Sequence, residues 1–198
     1  MTATPPIPAT SVSRETELTE RYLQLIEQWG QVINLTSKQD IASPRLWDHV
    51  ESSLSIVPHL PPGLDALIDL GSGQGFPAIP IAIHTGIAVN LIESDRRKAA
   101  FLTTVLAKLK LKGAVWPGRI ETAKVGPALC ITARALAPIE TLLRLAKPHL
   151  QPGGCCLFLK SAAADEEILV AQANTSFTVS IIPTANPPSC LVKITDLR

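Results

Sequence analysis

The stretch Leu67-Ile68-Asp69-Leu70-Gly71-Ser72-Gly73-Gln74-Gly75-Phe76-Pro77-Ala78-Ile79-Pro80-Ile81-Ala82 decides the fold of this chain. Its opening apolar run suits a buried strand. Three glycines follow Asp69 at alternate positions, then Pro77 and a second apolar run. Glycine permits a tight turn and lets backbone approach a ligand closely. Proline fits the first turn of a helix, where its missing N–H is not needed. The segment therefore reads as strand, glycine loop and helix, with a ligand expected at the loop.

Glycine spacing narrows the kind of ligand. A dinucleotide fingerprint, G-x-G-x-x-G, needs its third glycine where this chain has Phe76. Here that glycine comes one residue early, at Gly75, giving D-x-G-x-G-x-G. The pattern resembles that of class I methyltransferases, which bind S-adenosylmethionine (SAM). SAM carries no phosphate, but a helix N-terminus still favours the carboxylate of its methionine part. The plainer alternative is a glycine turn in an ordinary α/β protein.

A chain of 198 residues, 46% hydrophobic, supports one domain with a real core. Only 18% of residues are charged, too few for a disordered chain, and the net charge is +1. Nothing global marks a nucleic-acid binder, so RNA binding must rest on a local patch. Residues 1–13 are rich in Thr, Pro and Ala without an apolar core, which reads as a disordered tail rather than a secretory signal. No run is long enough to span a membrane. Cys130, Cys155, Cys156 and Cys190 form no C-x-x-C pair, so buried free thiols in a reducing cytosol are expected and no metal site is.

From Arg14 to Gln31, Leu18, Tyr22, Leu25, Ile26 and Trp29 recur at helical spacing. Ser43 and Pro44 suit the start of a second helix running to about Val57. Residues 14–63 thus read as a helical cap ahead of a SAM-binding domain at 64–198. In that domain strands alternate with helices, as in a parallel sheet. Strands are expected at Ala66–Leu70, Ala88–Ile92, Ala114–Trp116, Leu129–Ala133 and Cys155–Leu159, the last after a Pro152-Gly153-Gly154 turn. Phe177–Ile182 and Cys190–Ile194 read as a terminal pair of strands. The fold class is α/β, a Rossmann-like, mostly parallel seven-stranded sheet with an N-terminal helical extension.

Several positions suit chemistry. Glu93 ends the second strand, where a carboxylate accepts both hydroxyls of a cofactor ribose; the alternative is a surface Glu before a helix. Ile120 and Glu121 follow the third strand, on the loop that meets adenine in this architecture. Arg134 follows the fourth strand, at the edge of the ligand crevice, where a cation can hold SAM's carboxylate or an RNA phosphate. Outside such a fold it would be an exposed loop Arg. Asn186-Pro187-Pro188-Ser189 imitates the Asn-Pro-Pro-aromatic motif of amine methylases, but lies near the C-terminus and lacks the aromatic, so it reads as a turn. No Pro-Cys follows the fourth strand, against a cysteine-nucleophile cytosine methylase. Arg96, Arg97, Lys98, Lys108, Lys110, Lys112, Arg119 and Lys124 form a basic run that suits phosphates or, equally, a solvated face.

Taken together, the motifs resemble one family, the RsmG (GidB) methyltransferases of 16S ribosomal RNA. The likeness rests on Asn34-Leu35-Thr36-Ser37, on His49 and Ser52, on Asp69 to Pro80 with its Gly-Phe-Pro-Ala-Ile-Pro end, on Arg134-Ala135-Leu136-Ala137, and on Leu159-Lys160. It runs from about Leu23 to Ile194. Gln74 and Ser161 depart from it, standing where Pro and Gly are usual. The resemblance implies methylation of N7 of a single guanosine, the guanine(527) site, in 16S rRNA. It also implies SAM as cofactor, 16S rRNA or the 30S subunit as partner, and a cytoplasmic monomer. By it, Gly71, Phe76, Ile120, Glu121 and Arg134 contact the cofactor, and Asn34, His49 and Lys160 stand at the RNA side or the active-site wall. The motif adds Asp69, Gly73, Gly75 and Glu93 to the cofactor set, with Arg134 also a substrate candidate.

Guanine N7 has a free lone pair and no proton to lose. Its methylation needs alignment rather than a general base, and none is assigned. Two other readings stay open: a SAM-dependent methyltransferase acting on a small molecule, and a nucleotide-binding module without turnover.

Overall fold

A computed structural model describes residues 13–35, 45–161, 164–184, 186 and 189–198. The expected tail at 1–12, the Ser43-Pro44 helix start, Thr36-Ser37 and Pro187-Pro188 lie outside these residues. Helix α1 (Arg14–Gly30) begins where the Ser13 hydroxyl accepts the Thr16 N–H, with Glu15 and Glu17 in its first turn. Helix α2 is Arg45–Leu54. It stops short of the expected Val57 because Pro58 cannot donate a helical N–H, and the chain tightens into a short 3-10 turn at Val57–His59.

Strand and helix then alternate. The order is β1 (Ala66–Leu70), α3 (Ala78–Thr85), β2 (Ala88–Glu93), α4 (Arg96–Leu109), β3 (Gly113–Pro117), β4 (Ala128–Arg134), α5 (Ile139–Ala146), β5 (Leu150–Lys160), α6 (Ala164–Gln172), β6 (Thr178–Pro183) and β7 (Cys190–Thr195). The sheet order is β3-β2-β1-β4-β5-β7-β6. Strands β1 to β5 pair in parallel, while β7 runs antiparallel between β5 and β6. The order reverses between β1 and β4, and ligands bind at such a switch point, beyond the strand C-termini.

One expectation needs correction. Pro152-Gly153-Gly154 does not precede the fifth strand but lies inside it. Ala128 pairs with Leu150 and Cys130 with Cys155, so the surplus residues of β5 bulge out of the ladder. Gly153, at φ +76°, takes a conformation that side chains resist, and a bulge absorbs extra residues without ending the strand.

Side chains along β1 alternate between two cores. Leu67 faces a layer that also holds Tyr22 and Ile26 of α1, Leu46 and Val50 of α2, Ile79 of α3, and Phe101 and Leu102 of α4. Ile68 and Leu70 face the layer of Leu142 and Leu143 from α5 and Ile168 from α6. The N-terminal helices thus share the core of one sheet face. Cys130, Cys155 and Cys156 are buried free thiols, and Cys190 is half-buried.

Candidate active site

The chain leaves β1 through a loop that needs its glycines. Gly71, Gly73 and Gly75 sit at φ +63°, +55° and +103°. A Cβ on Gly71 would lie 2.6 Å from Leu136 Cδ1, and one on Gly75 would lie 2.6 Å from Ile79 Cγ1 and 3.1 Å from the Tyr22 hydroxyl. Gly73 faces open space, its nearest neighbour 3.8 Å away. Gly71 and Gly73 line a cavity of about 670 Å3 with Phe76, Glu93, Arg134 and Leu136, inside the usual ~300–1,000 Å3 of small-molecule sites. Gly75 is packed into the core instead.

Asp69 lies beneath that loop, fully buried. The Thr132 hydroxyl donates to its Oδ1 at 2.6 Å, while Oδ2 is buried with no partner. Burial pushes its pKa up to about 7, against the opposing effect of the Thr132 and Ser72 hydroxyls. Glu93 is held differently. Its Oε2 accepts the Gly73 N–H and its Oε1 the Asp95 N–H, both at 2.8 Å. One carboxylate thereby ties the glycine loop to the start of α4, and each oxygen keeps a lone pair for a further donor. Asp95 caps α4 by accepting the Arg97 and Lys98 N–H groups.

On the β3 side a second cavity, about 280 Å3, shares Gly71 and Leu136 with the first and is walled by Ile92, Ile120 and Glu121. Ile120 is buried, whereas Glu121 is exposed and paired with Arg119 at 3.3 Å. Behind Ile120 sits His149, a buried residue to which its sequence context, with no partner at metal spacing, assigns no role. Its Nε2 lies 3.0 Å from the Ile120 carbonyl oxygen.

Toward α2 a third cavity, about 400 Å3, shares Arg45, His49, Arg134 and Ala135 with the first and extends to Asp48, Lys160 and Asn186. Arg134 reaches the His49 Nδ1 at 2.6 Å and lies 5.6 Å over the Phe76 ring. Phe76 takes edge contacts from both His49 and Tyr22, with centroids 5.4 Å apart in each pair. The Tyr22 hydroxyl donates to the Gln74 carbonyl at 2.8 Å. Lys160 turns its ammonium to the Ala137 carbonyl (3.0 Å) and Glu167 (2.6 Å). Glu167 also accepts the Ile139 N–H at the start of α5. Lys160 therefore braces the loop after β4 as well as lining the cavity. Asn34 is exposed and does not line these cavities; its neighbour Leu35 does, and accepts a bond from the Gln74 amide.

The arrangement suits a ligand with an apolar ring, a diol and a charged end. A slot beside Ile120 and Leu136 leads past Glu93 to Arg134, and a buried acceptor without a partner waits under the loop. SAM, with adenine, ribose and an amino acid in that sequence, fits these groups.

Comparison with known proteins agrees. The family model "rRNA small subunit methyltransferase G" matches residues 15–190. Ribosomal RNA small subunit methyltransferase G of Gluconobacter oxydans is 46% identical over 192 residues, 96% of this chain and 98% of that protein. Its counterpart from Acidiphilium cryptum is 43% identical over 90% of this chain and 84% of that protein. Among solved structures, the O-methyltransferase from Bacillus cereus, in complex with SAH, superposes with a TM-score of 0.60 at 15% identity, covering 91% of each chain. The glycopeptide N-methyltransferase MtfA, complexed with S-adenosyl-L-homocysteine, gives 0.63 at 14% identity over 74% of this chain and 89% of that one. At that identity the likeness is one of fold: α/β, class I methyltransferase.

Proposed function

The chain belongs to the rRNA small subunit methyltransferase G family, and on that premise we propose that it methylates N7 of a single guanosine, the guanine(527) site, of 16S rRNA. The observation that carries the reading is the run of three cavities that share lining residues, from the slot at Ile120 to the polar chamber at Lys160. SAM supplies an electrophilic methyl group on a sulfonium. Ile120 and Glu121 hold the adenine end, Glu93 takes the ribose hydroxyls through its remaining lone pairs, and Arg134 meets the carboxylate. Asp69 acts from beneath, tying β1 to β4 through Thr132 while its carbonyl accepts the Ser72 hydroxyl of the loop.

The guanine enters from the His49 side. There Arg45, Arg134 and His49 line both of the larger cavities, so a base held in the outer chamber would neighbour the site that would hold the cofactor. Because N7 gives up no proton, these residues need only orient the base and exclude competitors. The product base is cationic, and Asp48 in the same chamber offsets that charge. Arg96 and Arg97 open α4 beside Lys98, which lines the central cavity, and so extend a cationic path for RNA phosphates. Among the described residues no helix is long and apolar enough to cross a membrane. The protein works as a cytoplasmic monomer on 16S rRNA or the 30S subunit.

The test is methyl transfer from labelled SAM to 30S subunits lacking the modification, with naked 16S rRNA, tRNA and no RNA alongside. Label recovered as 7-methylguanosine from one 16S site supports the proposal. Label in another nucleoside, or none in any RNA while SAM still binds, overturns it and favours a small-molecule substrate.

A further inference from the structure

We propose that His149 is a positioning residue for SAM's adenine, acting through the Ile120–Glu121 peptide. His149 is buried, at 6% exposure, in the 3-10 turn Lys147–His149 between α5 and β5. A carbonyl oxygen only accepts, so the His149 Nε2 must carry the hydrogen in its 3.0 Å contact with Ile120 O. The same oxygen accepts the Ala123 N–H at 3.2 Å. Two donors thus fix one peptide plane.

The consequence falls on the next residue. In a planar trans peptide, carbonyl and N–H point in opposite directions. With Ile120 O turned back to His149, the Glu121 N–H faces away from that buried side. The Glu121 carboxylate, beside this N–H and Arg119, is held below the usual carboxylate range. Ile120 and Glu121 together wall the 280 Å3 slot. An N–H donor beside a carboxylate acceptor complements the adenine edge, where N1 accepts and the N6 amine donates. His149 touches no part of that edge; it holds the peptide that presents it.

The inference rests on the adenine lying in this slot, and the test separates the two claims. SAM dissociation constants, steady-state constants and melting are measured for the unaltered protein and for His149→Leu, His149→Asn and His149→Gln. The Gln amide reaches about where Nε2 sits; the Asn amide is too short. Leu and Asn are expected to raise the SAM dissociation constant and KM about tenfold, the effect of leaving a buried carbonyl short of a donor. The kcat at saturating SAM should stay within about twofold, since no reacting atom is touched. Preference for SAM over its inosine analogue, which lacks the N6 amine, should shrink in both. Gln should restore affinity and preference. If Leu does not melt cooperatively, Asn carries the comparison. Unchanged SAM affinity in folded Asn and Leu variants, or Gln no better than Leu, overturns the role of His149. Failure of the unaltered protein to prefer SAM over the inosine analogue overturns the adenine placement itself.

Discussion

The two ends of the central cavity are built by different means. At the glycine loop the turn itself is set by backbone donors close in sequence: Gly73 N–H reaches a carboxylate 20 residues away, and Asp95 N–H meets the same carboxylate from 2, with Tyr22 bracing the Gln74 carbonyl from 52. At the opposite wall they are long-range and made by side chains. Arg134 finds His49 across 85 residues, and in the adjoining chamber the Asn186 amide reaches the Asp48 carbonyl across 138. The first end depends on a local turn whose chemistry only certain residues allow. The second depends on the whole sheet bringing four segments together. A local device leaves a spacing in the sequence; a long-range one leaves none.

The largest effect should come from Gly75→Ala, which attacks the local end at its root. Positive φ and contacts with Ile79 and Tyr22 together cost about 3 kcal/mol. Melting should fall by roughly 10 °C, with SAM binding lost. Gly73→Asp sharpens the contrast, because Gly73 faces open space and Asp tolerates its φ of +55° better than most residues. The fold should melt within a few degrees of the unaltered protein, yet calorimetric SAM affinity should drop more than about tenfold, as a second carboxylate joins Glu93. Stability loss there as large as at Gly75 would mean the two glycines do one job.

Asp69→Asn gives a pH test. The folded pKa, about 7, lies above the unfolded value near 3.8. Between those values the folded state holds the proton more tightly, so Asp69's contribution to stability declines as pH rises from 4 to 7 and levels off above. The melting temperature of Asp69→Asn minus that of the unaltered protein should therefore climb through that window and flatten beyond it. A flat difference would mean that burial does not govern this carboxyl.

The smallest effect belongs to Tyr22→Phe. Tyr22 joins the two ends, bonding Gln74 with its hydroxyl and packing its ring on Phe76. Burial raises its pKa well above the usual value, so at neutral pH it is a hydroxyl donor. Losing that bond should cost about 1 kcal/mol by denaturant unfolding, with SAM affinity and turnover each changed less than about threefold.

What could be read in advance divides along the same line. Asp69, the three glycines and Pro77 announce strand, loop and helix, and Glu93 follows from its place at the end of β2. The bulge in β5 was hidden because Pro-Gly-Gly has the composition of a turn, and only pairing with β4 distinguishes the two. His149 was missed because a lone histidine carries no spacing; its partner, the Ile120 carbonyl, is backbone. The sequence sets Lys160 at the RNA side or the active-site wall, but its hold on Ala137 and Glu167 requires the return of α6 to the β4 side. Asn34 stays outside the lining, with only Leu35 reaching the loop.

The central claim is that the glycine-loop end holds SAM while the His49 end meets the guanine. His49→Ala tests it directly, with SAM affinity by calorimetry and methyl transfer to unmodified 30S subunits measured on one preparation. SAM affinity should stay within about threefold, while kcat falls about a hundredfold through lost alignment. Parallel loss of SAM binding, or undiminished transfer, would contradict the account.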